Sequence, residues 1–182
     1  MKTDLIALAK SVGFTNAELI DASSIVCDRK FREQCEANAC GVYGKCWMCP
    51  PDIGDIDELI EEVRSYPRGL LYQSIFELED SFDFEGMMEG GRTQSQRSRE
   101  LNRLLKEAGY QNFLHLSKGG CGKCSPCAKV KGEPCPFPED ALSSLEGYGI
   151  NVSATAKNTS MKYINGVNTV TYFGIVLFRE EL

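Results

Sequence analysis

Apolar positions along the chain fall into two periods, three-to-four and two, separated by long stretches that show neither. Leu5, Ile6, Leu8, Ala9 and Val12 form a helical stripe closed by Gly13, which predicts a helix over Thr3 to Val12. A second helix is expected from about Ile25 to Asn38, with Ser23 or Ser24 as its cap. It would set Cys27, Phe31 and Cys35 four apart on one face. The stretch "DIDELIEEVRSYP" reads as a third helix, opened by Asp55 with Glu58 three later and stopped by Pro67. A fourth is expected over Thr93 to Ala108, with Leu101, Leu104 and Leu105 inward and Gly109 as its end.

The β-leaning runs are "GLLYQSIFELE", the shorter "FLHLS", "INVSATA" and the closing "NTVTYFGIVLF", rich in β-branched and aromatic residues. Asn165-Gly166 just before the last run is a favoured tight-turn pair. Pro138 suits the first turn of a short helix across "PEDALSSLEGYG". This alternation predicts an α+β or α/β sandwich: a small sheet with helices and cysteine-rich loops. With no internal repeat or linker, residues 1–182 read as one metal-binding domain.

Composition narrows the function classes. A formal net charge of -6 argues against nucleic acid as partner, because phosphate binding needs a basic surface. No apolar run is long enough to span a membrane. The start carries Asp4 and lacks the apolar core of a signal peptide, so a cytoplasmic location is expected. That compartment keeps thiols reduced, so the nine cysteines read as metal ligands rather than as a disulfide framework.

The cysteines form two sets. "GGCGKCSPCAKVKGEPCP" holds Cys121, Cys124, Cys127 and Cys135, the last followed by proline. Three thiols at two-residue gaps suit a loop wrapping a four-iron cubane, with each sulfur on a different iron and the fourth ligand arriving later. "CEANACGVYGKCWMCPP" holds Cys35, Cys40, Cys46 and Cys49, a second site on the same logic. Zinc is the rival, since it also takes four thiolates, though usually as two separated pairs. Both sets end in Cys-Pro, so Cys49 and Cys135 could be exchanged between the sites. Cys27 competes for set one, or is a buried apolar thiol.

The motifs "CEANACGVYGKCWMCPPDIG", "GGCGKC", "PCPFPEDALSSLEGYGINV" and "TYFGIVLF" resemble those of a family of short prokaryotic proteins. These are the predicted metal-binding proteins of domain of unknown function family 2284, frequent in anaerobes. The resemblance runs from about Cys35 to the C-terminus. It implies metal at Cys35, Cys40, Cys49, Cys121, Cys124, Cys127 and Cys135, and it brings no established reaction. Cys46 enters on spacing alone.

The remaining candidates have plainer readings. Arg92, Arg97, Arg99 and Arg103 form either an anion patch or a solvated face balanced by Glu100 and Glu107. His115 reads as a packed histidine, Met87 and Met88 as filler, and Tyr43, Trp47 and Phe137 as shields beside ligands. The expected function is electron transfer by one or two [4Fe-4S] clusters to a redox partner with a basic docking face. An accessory or electron-transfer role fits better than a stand-alone enzyme. If set one supplies only three thiolates, an iron keeps an open position, and the site would act as a Lewis acid. A structural zinc interaction module is the third expectation.

Overall fold

The computed structural model describes residues 4–179. Thr3, where the first helix was expected to begin, lies outside the described residues.

A five-stranded mixed sheet organises the α+β fold, in the order β1-β2-β5-β3-β4. The strands are β1 (Asn16–Asp21), β2 (Arg68–Glu77), β3 (Phe113–Ser117), β4 (Ser143–Ser144) and β5 (Thr169–Phe178). Every pairing is antiparallel except that of β3 with β4. The C-terminal run, the most strongly β-leaning in the sequence, becomes the central strand β5. It pairs with β2 along ten positions, and with β3 only from Ile175 to Phe178.

Both faces of β5 are buried, and the two-residue period divides its side chains between two cores. Ile175 and Leu177 pack with Val63, Leu71, Leu116, Leu145 and Ile150. Val176 and Phe178 pack with Leu5, Leu70, Tyr72, Leu101 and Leu105. The second core is covered by α1 (Leu5–Val12) and α4 (Phe84–Glu107). The first is covered by α3 (Ile56–Arg64), α5 (Val152–Ala156) and the 3-10 turn Glu146–Tyr148.

Capping explains the helices that match expectation. Asp4 accepts the backbone N–H groups of Ile6 and Ala7 at the start of α1, and Gly13 ends it in the left-handed region. Asp55 caps α3 in the same way through Asp57 and Glu58.

Other elements depart from expectation. The second helix shrinks to α2 (Lys30–Glu36), because Ser24 Oγ donates to Asp21 O within a 3-10 turn instead of capping a helix. Cys27 lies outside α2, in an isolated bridge to Ile150, so it shares no helical face with Phe31 and Cys35. "INVSATA" is not a strand: the Asn151 side chain accepts the Ala154 N–H, caps α5, and overrides the β-branched residues. The segment after Pro138 forms turns and β4 rather than a helix. The fourth helix begins at Phe84, nine residues before Thr93, and Leu104 is only half-buried. Its glycines fit the packing: a Cβ on Gly90 would stand 2.9 Å from the Phe76 ring.

Candidate metal centre

Cys35 ends near the last turn of α2, and two long loops carry seven further cysteines. Residues 37–54 hold Cys40, Cys46 and Cys49; residues 118–142 hold Cys121, Cys124, Cys127 and Cys135. The first loop is fixed by its own backbone. Tyr43 N donates to Asn38 Oδ1 at 3.0 Å, Gly44 N to Pro50 O at 2.9 Å, and Cys49 N to Cys46 O at 3.1 Å. The second loop hangs from α4, where Arg99 Nη1 donates to Cys121 O at 3.4 Å and Asn102 Nδ2 to Glu139 O at 3.0 Å.

The loops are stapled to each other. Lys129 pairs with Asp52, both ends largely buried, and its ammonium stands 4.5 Å from the centre of the Trp47 ring. Trp47 Nε1 donates to Glu133 O at 2.9 Å. Pairing the two loops in this way offsets some of the entropy of ordering them.

Two neighbouring cavities result. One, of about 170 Å³, is lined by Cys35, Cys40 and Cys49 with Tyr43, Ser144 and Glu146. The other, of about 20 Å³, is lined by Cys46, Cys121, Cys124, Cys127 and Cys135 beside Trp47. It adjoins an open groove of about 380 Å³ that shares Cys46, Cys121, Cys124 and Cys127. Cys49 therefore lies with Cys35 and Cys40, and Cys135 with Cys121, Cys124 and Cys127.

Cys46, grouped by spacing with the first set, lines the second cavity. Its thiol pKa is held below the ordinary value, first by a hydrogen bond from the Cys49 thiol. The backbone N–H groups of Cys121 and Met48 and the Cys127 thiol act in the same direction. Cys49 is pushed up as the proton-holding partner and by burial. The Cys46–Cys49 pair thus forms the boundary between the cavities. Burial also raises Cys121, offset by N–H donors from Lys123 and Leu142. Among the described residues, no three His, Cys, Asp or Glu side chains converge closely enough to hold a single metal ion.

Thiolates are soft ligands suited to zinc or to iron–sulfur clusters, so the donor set fits either group. A cubane spreads its ligands over several irons, so its cysteines line a space rather than meet at a point.

The other candidates sit as follows. Cys27 is half-buried against the first core and lines neither cavity; burial raises its thiol. His115 is buried. Asn102 Nδ2 donates to Glu139 O, and its Oδ1 lies 3.3 Å from His115 Nδ1; His115 Nε2 is hydrogen-bonded with the Tyr72 hydroxyl at 2.7 Å. Arg92 and Arg103 are paired with Glu89, Glu100 and Glu107, as a solvated face would be. Tyr43 and Trp47 line the cavities, but Phe137 is 41% exposed under the Lys123 ammonium and shields nothing. Met88 is no filler; it is 63% exposed on α4.

Sequence reasoning missed Ser144 and Glu146. They fall in a segment read as a short helix, and nothing in its pattern marks them as facing cysteines 95 or more residues earlier. Burial pushes the Glu146 carboxyl up.

Among the described residues, no helix is long and apolar enough to cross a membrane. No curated protein and no solved structure matches the chain. Residues 18–178, most of the length, match the family described as predicted metal-binding protein (DUF2284), and the chain belongs to that family.

Proposed function

We propose that the chain is a cytoplasmic iron–sulfur protein with two adjacent centres, and that it passes electrons to a partner protein. The observation that carries this reading is the pair of cysteine-lined cavities separated by Cys46 and Cys49. Cys121, Cys124, Cys127 and Cys135 would hold one centre, and Cys35, Cys40 and Cys49 the other. A four-iron cluster supplies reversible one-electron chemistry. The chain supplies burial, N–H donors to the Cys121 sulfur, and the Trp47 ring beside the second cavity, all of which tune a potential.

The partner is a protein with a basic docking face. Phe82, Phe84 and Met88 stand 78%, 66% and 63% exposed among the exposed carboxylates of Glu79, Asp80, Glu85 and Glu89. An apolar patch inside an acidic rim fits a basic surface with an apolar centre. Protein purified anaerobically is expected to contain iron and acid-labile sulfide in equal amounts, near eight of each if both centres are four-iron clusters. Stoichiometric zinc without iron would instead make the chain a structural zinc module.

A second reading is favoured by one observation: the first cavity has three thiols, and the rest of its wall includes Glu146, Ser144 and Tyr43. A centre held by three thiolates leaves one position open to a substrate, as a Lewis-acid site requires. Glu146 would then face that position, as a ligand or as a proton-transferring group.

A further inference from the structure

Beside the three-thiol cavity runs a groove of about 360 Å³, which shares Gly119 and Glu146 with it. Its floor follows an open sheet edge. Since β3 pairs with β5 only from Ile175 onward, the backbone from Thr169 to Phe173 has a neighbour on one side only. The groove runs along Thr171, Tyr172 and Phe173 of that edge. Buried Leu145, Val152 and Phe173 give it an apolar wall, and the Tyr163 ring lies stacked 6.0 Å from Phe173.

Lys118 lines the same groove. Its ammonium occupies a slot that α4 leaves open at Gly91, where a Cβ would come within 3.1 Å of Nζ, and it lies 5.7 Å from the centre of the Tyr172 ring. Among the described residues, Lys118 has no carboxylate partner, and Arg99 is close enough to act on it as a second positive charge. A half-buried cation with no carboxylate partner, lining a partly apolar groove beside unpaired backbone, is the arrangement of a small-anion site.

We infer that this groove binds a small organic carboxylate, its charge on Lys118 and its apolar body against Phe173, Val152 and Tyr163. The same groove touches the three-thiol cavity through Gly119 and Glu146. The assignment rests on the open-centre reading for its purpose, though not for its chemistry.

The probe is benzoate, titrated calorimetrically into anaerobically purified protein, with benzyl alcohol as the uncharged control. Electron paramagnetic resonance of the reduced protein is recorded at each end of the titration. Saturable benzoate binding is expected, weakened at least tenfold in Lys118→Met, largely restored in Lys118→Arg, and weakened in Tyr163→Ala; benzyl alcohol should bind poorly throughout. Circular dichroism confirms that each variant is folded. If benzoate fails to saturate, or binds Lys118→Met as well as the native chain, the groove is not a carboxylate site. If Lys118-dependent binding also shifts the resonance of one centre, both the groove and the open-centre reading are supported. Lys118-dependent binding without any shift supports the groove while removing the open centre.

Discussion

At the scale of single residues, Cys46 decides how the thiols divide. It lines the cavity of Cys121, Cys124, Cys127 and Cys135, which keeps four thiols without it, and it leaves Cys35, Cys40 and Cys49 untouched. Cys46→Ser is therefore expected to retain the iron of the native protein, measured by metal analysis after anaerobic purification. Loss of about half the iron would return Cys46 to the first set as a required ligand. Cys27→Ser should also leave metal content unchanged, because Cys27 lines neither cavity. His115 offers a separate test of the core. Burial lowers its pKa to about 3, so the folded chain keeps it neutral while the unfolded chain protonates it below its ordinary 6.5. Its contribution is complete above that value and is lost as pH falls from about 6.5 toward 3, by about 1.4 kcal/mol per pH unit. Urea midpoints at pH 7 and pH 5 should fall further for the native chain than for His115→Gln; parallel shifts would contradict this.

At the scale of elements, legibility followed the strength of local signals. Gly13, Asp55 and the dense β-branched run of β5 stated their structures outright, because local signal and period agree, whereas the Asp4 cap went unread. "NAELID" carries no clear alternation and becomes β1 only by pairing with β2. The first half of α4 was hidden by Gly86, Gly90 and Gly91, which look like breakers until Phe76 and Lys118 are seen packed against two of them. Gly90→Ala should accordingly destabilise the fold, by about 1–3 kcal/mol in urea unfolding, through overpacking against Phe76. The cysteine loops behave differently, for their order depends on few apolar contacts. Cys124→Ala should lose roughly half the iron and make residues 119–137 sensitive to protease, while far-ultraviolet circular dichroism stays near native. Full iron retention would mean that Cys124 is not a ligand. Loss of all the iron would mean that the centres do not assemble independently.

At the scale of the whole molecule, the sheet brings together loops about 80 residues apart, and Glu146 from a third segment. The grouping of Cys121, Cys124, Cys127 and Cys135 was readable from spacing, since local gaps constrain a loop. The position of Cys46 was not, because it depends on Lys129, Asp52, Trp47 and Glu133 drawing one loop onto the other. Phe84→Ser with Phe82→Ser should slow electron delivery to a basic partner without altering iron content, since the two rings stand exposed at the start of α4 and just before it, and line neither cavity. Cys46 and Cys49 in direct contact also set the two cysteine-lined cavities side by side. The most direct measurement is quantitative electron paramagnetic resonance of the anaerobically purified, fully reduced chain, alongside metal analysis. Two adjacent clusters predict about two spins per chain with a signal broadened by their mutual interaction. A diamagnetic, zinc-loaded protein, or a single unbroadened spin, would contradict them.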